Sequence, residues 1–170
     1  MKRKTCRQSL TTMTQLILPN DTNHLGDLMG GTLMRWMDMA GAMAAMRHTN
    51  APVVTAAVDH VSFQKGIPLG AMVVLEAFVT RTFRTSLEVF IEVHKEDLNG
   101  ERIKCNEAFL TFVALDMKTQ RPTPVPPVEA QTKREIELYE GALRRRELRL
   151  VMAGRMKPDE AGDIKKLFNQ

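Results

Sequence analysis

The strongest constraint on this fold is an order of elements: one helical segment, then four strand-like runs with no second helix between them. From Gly30 to His48, residues Leu33, Met37, Ala40, Gly41 and Ala44 fall on one face at three- and four-residue spacing. After "TNAP" come "VVTAAVDHVSF" at 53–63, then runs at 71–83, 85–97 and 101–116, while "SLTTMTQLILP" at 9–19 precedes the helix as a first strand. The small residues Gly41, Ala42, Ala44 and Ala45 let a neighbouring layer come close. One long helix with a run of antiparallel strands predicts an α+β layer pair, the sheet wrapping the helix. Within the third of the four later runs, "TSLEVFIEV" is apolar enough to read as an edge strand in need of a partner, which predicts a closed symmetric oligomer.

A length of 170 residues suits one domain with a sizeable core. "TQRPTPVPPVEAQ" holds four of the eight prolines and closes that domain. The expected organisation is a basic segment at 1–7, a folded domain at 8–128 and a helical extension at 129–170. In the extension Ile136, Tyr139, Leu143 and Leu150 form an apolar stripe among charges. The net charge of +4 is unevenly spread: residues 1–7 carry four Lys/Arg and no acid, residues 129–170 carry ten against eight acids, and the middle carries ten against twelve. A basic face on the folded body, which nucleic-acid binding requires, is therefore not expected. A scaffold or nucleic-acid role working through the basic termini alone remains the competing class.

Only Cys6 and Cys105 are present, too few for a disulfide framework or for a zinc site without histidine help. Cys105 sits in a strand pattern and reads as an inert buried thiol. No apolar run approaches the roughly 20 residues that span a bilayer, and no apolar segment follows the basic start, so neither a membrane association nor a secretory leader is expected. A reducing cytoplasm fits best. The histidines at 24, 48, 60 and 94 show no metal-ligand spacing, and neither a Gly-x-Ser-x-Gly elbow nor a Walker loop occurs.

The stretch "NHLGDLMGGTLMRWMD", residues 23–38, carries the chemistry. The opening N–H groups of a helix lack intrahelical partners and form its positive dipole end, and glycines at 30 and 31 would let an oxygen approach them. Asp38 lies two turns beyond Gly31 on a face shared with Met34 and Ala45. A dipole-backed donor beside a retained carboxylate is the pairing acyl hydrolysis needs, although a surface aspartate on an ordinary helix is the plainer reading. Asn23 is either a turn residue or an amide that orients a water. "RTFRTSLE" at 81–88 is either a charged bend or a phosphate site, and "FQKG" at 63–66 is a strand-end loop offering an aromatic and a lysine.

Taken in order, Asn23, Gly26, Gly30, Gly31, Trp36 and Asp38, then "RH" at 47–48, "VVTAAVDHVSF", a Pro-Leu-Gly turn at 68–70 and "RTSLEV" at 84–89 resemble the hotdog-fold acyl-CoA thioesterases, nearest the cytosolic acyl-CoA hydrolase branch. The resemblance covers about residues 8–125. It implies an antiparallel sheet around one long central helix, with protomers paired and three pairs often forming a hexamer. It implies that fatty acyl-CoA is the substrate, with coenzyme A as part of substrate and product and with no metal or other cofactor. Carried over, Asp38 is the general base or nucleophile, Asn23 its partner, Gly31 the backbone donor to the thioester oxygen and Thr55 a third polar group. Gly30, Phe63, Lys65, Arg84, Thr85 and Ser86 are the expected substrate and CoA contacts. Water attack and an anhydride route are both open, and so is a non-catalytic acyl-CoA-binding protein of the same fold.

Overall fold

The computed structural model describes residues 1–59, 61 and 65–168. It divides into two compact units, Met1–Glu129 and Ala130–Gln170.

Among the described residues the first unit holds seven strands and one long helix. β1 is Lys4–Thr5, β2 is Thr11–Leu16, α1 is Gly30–Thr49 and β3 is Val53–Asp59. β4 is Met72–Thr82, β5 is Ser86–Glu96, β6 is Arg102–Ala114 and β7 is Val128–Glu129. Five of the strands form one antiparallel sheet in the order β2-β4-β5-β6-β3. α1 packs across β4, β5 and β6, giving the hotdog arrangement of a sheet wrapped around a central helix.

The small residues of α1 set the depth of that contact. A Cβ at Gly41 would meet the Phe112 ring at 3.0 Å and Ile91 Cδ1 at 3.2 Å. Ile91 and Phe112 therefore face the helix, and strand alternation puts Leu87, Val89 and Val93 of β5, and Ala108 and Leu110 of β6, in the same layer. All of these are buried, as are Leu33, Trp36, Met37, Ala40 and Ala44 of α1. A fully buried aliphatic side chain contributes about 1.5–3 kcal/mol over an exposed one, so this layer is the main source of stability in the unit.

"TSLEVFIEV" is not an edge. It lies in β5, the middle strand, paired to β4 on one side and β6 on the other. Tight connections at 83–85 and 97–101 bring its sequence neighbours onto both flanks and use up its backbone groups. The edges are β2 and β3. On β3, Val54 and Val58 are 47% and 44% exposed.

Residues near the N-terminus close over the far end of α1. β1 pairs in parallel with β7. Lys4 Nζ donates to the Arg47 carbonyl at 2.8 Å and to Asn50 Oδ1 at 3.2 Å, where cations favour the negative helix end. Asn50 ends the helix in the left-handed region at φ 52°. The fully buried His48 donates from Nε2 to the Pro126 carbonyl at 2.9 Å, and burial is the main cause of a pKa below the ordinary imidazole value.

The second unit contains α2, Lys133–Met152, and α3, Gly162–Phe168. Thr132 and Glu135 form a reciprocal capping box at the start of α2. Glu147 Oε2 accepts from the N–H groups of Asp163 and Ile164, each at 2.9 Å, at the opening turn of α3.

Candidate active site

The loop before α1 is shaped by Asn23. Its Oδ1 accepts from the N–H groups of Leu25 at 2.9 Å and Asp27 at 3.2 Å, and its own N–H reaches the Asp27 carbonyl at 2.7 Å. Gly26 supplies the positive φ, 81°, that this tight turn requires. The loop is tied to residues 67–69 through Leu28 N–H to the Ile67 carbonyl and Leu69 N–H to the Gly26 carbonyl. The carbonyl side of the Asn23 amide is thus spent on the turn, while its two Nδ2 protons take no part in these bonds.

α1 starts immediately afterwards, and Met29 gives it no side-chain cap. Gly31 is exposed, and a Cβ built on it meets nothing within 4 Å. Nothing in its own chain's packing calls for glycine there. Uncapped N–H donors with the helix dipole behind them make this a place for an anionic or strongly polarised oxygen.

A cleft of about 330 Å³ opens beside this helix end, lined by Asn23, Asp27, Leu28, Gly30, Leu33, Lys65, Gly66, Ile67 and Asn106. Its walls come close together: a Cβ at Gly66 would lie 2.7 Å from Asp27 Oδ2. Of the expected residues, Asn23, Gly30 and Lys65 meet here. Phe63 lies outside the described residues.

Asp38 and Thr55 meet elsewhere. Thr55 Oγ1 donates to Asp38 Oδ1 at 2.6 Å, from the edge strand to the middle of α1. Asp38 is half-buried on the flank of the helix, not on its core-facing stripe, and its neighbour one turn back, Met34, is 40% exposed. Asp38 does not line the cleft. Eight residues of α1 separate it from Gly30, a rise of about 12 Å.

Arg84, Thr85 and Ser86 form the turn between β4 and β5, held by Phe83 N–H to the Ser86 carbonyl and Ala114 N–H to the Thr85 carbonyl. Val93, seven residues along β5 from Ser86, pairs with Asn106 at the cleft. At about 3.3 Å per residue, some 23 Å of strand separates the two places. In one protomer the three groups of expected residues therefore stay apart.

Two cleft residues escape sequence reasoning. Asp27 looks like any acid in a turn-rich loop. Asn106 could have been found by counting back in twos from Phe112 through Leu110 and Ala108, where it breaks an apolar row. Among the described residues no group of His, Cys, Asp and Glu could hold a metal ion, and no helix is long and apolar enough to cross a membrane.

Residues 25–101 match the model of the thioesterase superfamily. An uncharacterized acyl-CoA thioester hydrolase of Bacillus subtilis is 42% identical over 82% of this chain and 81% of its own length. Among solved structures, an apo-hexameric acyl-CoA thioesterase shares 45% identity, covers 90% of this chain and 98% of its own, and superposes with a TM-score of 0.86. An acyl-CoA hydrolase from Staphylococcus aureus, solved with butyryl coenzyme A, coenzyme A and coenzyme A disulfide, shares 32% identity over 99% of both chains with a TM-score of 0.84. Alanine variants of an aspartate, a threonine and an asparagine of that hydrolase have been solved too.

Proposed function

This chain belongs to the thioesterase superfamily, and from that premise we propose that it hydrolyses fatty acyl-CoA to free acid and coenzyme A at a site shared by two protomers. The observation that carries the reading is the Thr55–Asp38 hydrogen bond of 2.6 Å. It fixes one carboxylate oxygen and leaves the other to act.

In this reading the thioester carbonyl lies against the start of α1. The Gly31 N–H donates to the carbonyl oxygen, and the donor is worth more as charge builds there in the tetrahedral intermediate. Asp38 of the other protomer removes a proton from water, or attacks the carbonyl to give an anhydride that water then opens. The Nδ2 protons of Asn23 orient the water or the oxyanion. Coenzyme A thiolate departs and takes up a proton. Coenzyme A enters as part of the substrate, and the chemistry assigned to these residues calls on no metal. Lys65 at the cleft mouth and Arg84, Thr85 and Ser86 at the far turn are the candidates for CoA phosphates, the latter from a neighbouring protomer.

Two protomers pairing along their β3 edges would bring α1 of one near the loop of the other, and three such pairs would form a hexamer. Cys6 and Cys105 are buried and neither is in a disulfide, which supports a reducing compartment, the cytoplasm. A thiol-release assay on a panel of acyl-CoA lengths tests the activity. CoA release in proportion to enzyme supports it, and tight acyl-CoA binding without release would make the chain a non-catalytic binder.

A further inference from the structure

Among the described residues lining the cleft, Asp27 is the one acid, and its backbone is pinned in place. Its N–H donates to Asn23 Oδ1 at 3.2 Å, and its carbonyl accepts from the Asn23 N–H at 2.7 Å. It bridges to Pro68, and beside it the Leu28 N–H donates to the Ile67 carbonyl at 2.8 Å. The side chain lies against Gly66: Oδ2, Cγ and Oδ1 stand 2.7, 3.0 and 3.2 Å from the place a Cβ at that residue would take. Gly66 has no positive φ, so its backbone would accept another residue. It is the carboxylate that needs glycine there. Among the described residues the Asp27 carboxylate takes no hydrogen bond and forms no ion pair, Lys65 of the same cleft included.

The chemistry of the substrate says what such a carboxylate can meet. With the thioester carbonyl at the start of α1, the sulfur leads through a two-carbon spacer to a secondary amide, the end of the pantetheine arm of coenzyme A. That amide offers an N–H. Asp27 is three residues ahead of Gly30, no more than about 11 Å of chain, and both line the cleft. Resting on the thioesterase reading above, we propose that Asp27 is a substrate-binding residue that accepts the N–H of the pantetheine amide nearest the sulfur and so holds the thioester carbonyl at the helix start. An ionised acceptor makes this a charge-assisted bond, roughly twice as strong as a neutral one.

The test removes the N–H from the substrate as well as the carboxylate from the protein. On the full-length oligomer, kcat/KM is compared for the N-acetylcysteamine thioester and for the 2-acetoxyethanethiol thioester, which has an ester oxygen in place of the N–H. The acyl group is that of the acyl-CoA hydrolysed fastest. The native protein should prefer the amide by at least about tenfold, as for a hydrogen bond to a charged group. Asp27→Ala should bring the ratio near one, and Asp27→Asn, whose amide oxygen still accepts, should fall between. With the whole acyl-CoA, Asp27→Ala should raise KM by a similar factor and change kcat little, the mark of binding shared by ground and transition states. A carboxylate just ahead of a helix also suits the helix dipole, but that role alone would lower the melting temperature and leave the substrate ratio unmoved. A native ratio near one, or a ratio that Asp27→Ala keeps, overturns the inference and leaves the thioesterase reading standing. Should Asp27→Ala not fold, Asp27→Asn and the native ratio decide. Should the short thioesters turn over too slowly to compare, a raised KM of the variant for acyl-CoA supports the inference and an unchanged one overturns it. No hydrolysis of any acyl-CoA overturns the thioesterase reading and this inference with it.

Discussion

Thr55 Oγ1 donates a 2.6 Å hydrogen bond to Asp38 Oδ1, joining the edge strand β3 to the middle of α1. The register of β3 on β6 slips between Thr55 and Ala57, so the strand bulges one residue after the donor. Thr55 sits opposite Phe112 and so faces the helix, while the bulge lets the strand turn away beyond it. The threonine positions Asp38 as much as it binds it.

That relationship separates two variants. Asp38→Asn is nearly isosteric and should fold, with kcat lower by at least about 10²-fold because the base or nucleophile is gone. Thr55→Val keeps the strand shape and removes the donor, so kcat should fall by roughly tenfold, within the range set by loss of one positioning hydrogen bond. Thr55→Ser should restore most of it. Unchanged kcat in a well-folded Asp38→Asn protein would take Asp38 out of the mechanism.

Two glycines on α1 should respond oppositely to alanine. At Gly41 the new methyl meets the Phe112 ring at 3.0 Å and Ile91 at 3.2 Å, and overpacking of that kind costs about 1–3 kcal/mol. At Gly31 the methyl meets nothing within 4 Å in its own protomer, and alanine gains up to about 1 kcal/mol of helix propensity. Thermal melts should therefore show Gly41→Ala lowered by several degrees and Gly31→Ala unchanged or raised. Activity should divide differently, Gly31→Ala losing kcat/KM because the methyl crowds the approach to the helix end. Full activity in Gly31→Ala would remove the helix start from the site.

How much of this was legible in the sequence depends on how local the signal is. The helical spacing predicts 30–48 and α1 runs Gly30–Thr49. The strand runs at 71–83, 85–97 and 101–116 correspond to β4, β5 and β6 with ends shifted by one or two residues. Strand order is different. Alternation of Leu87, Val89, Ile91 and Val93 against Glu88 and Glu92 suggests one wet face, yet Glu88 and Glu92 are only 1% and 8% exposed. Glu88 accepts from Thr80 and Glu92 pairs with Lys104, partners on adjacent strands that no local pattern reveals. The two-residue strands β1 and β7 are equally silent, because a proline-rich segment gives no strand signal before it meets its partner. At the site, Asn23, Gly31 and Asp38 stand out by residue type and spacing. Their separation into a cleft and a helix flank does not, since it depends on how the loop before α1 folds back onto residues 67–69.

His48 makes stability depend on pH. It is fully buried, bonded to the Pro126 carbonyl and close to Lys4, and burial holds its pKa below the ordinary value near 6.5. The folded protein therefore keeps His48 neutral where the unfolded chain has already bound a proton. Its contribution is complete above about pH 6.5 and declines as pH falls, by at most about 1.4 kcal/mol per pH unit, until the folded pKa is reached. Urea midpoints should drop between pH 6.5 and 5 in the native protein. His48→Gln, which retains a donor for Pro126, should show a flatter profile across that window. Equal slopes would shift the effect to other groups.

The exposed edge of β3 should be an interface. Val54 and Val58 present apolar side chains beside unpaired strand backbone. Light scattering at micromolar concentration should give a closed oligomer, a dimer at least and a hexamer by family resemblance. The double variant Val54→Glu/Val58→Glu places like charges across a two-fold axis and should shift the protein toward monomer. If the site is shared, activity should fall in parallel with assembly. A native monomer would sink the expectation.

The sharpest test concerns which chain supplies which residue. Asn23 lines the cleft and Asp38 does not, and about 12 Å of helix rise separates Gly30, at the cleft, from Asp38. A two-fold pair offers an alternative partner for each, with the loop of one chain facing the helix flank of the other, twice over. Asn23→Ala and Asp38→Ala homo-oligomers should each be nearly inactive. Dissociated, mixed in equal amounts and reassembled, half the dimers become mixed, and in each of these one site carries both defects while the other carries neither. Activity should then return to roughly a quarter of the native level. With mixed dimers verified by mass spectrometry, a return to near this level assigns Asn23 and Asp38 of one site to different chains. No return would put both residues of each site in a single chain, because every site would then still carry one of the two defects.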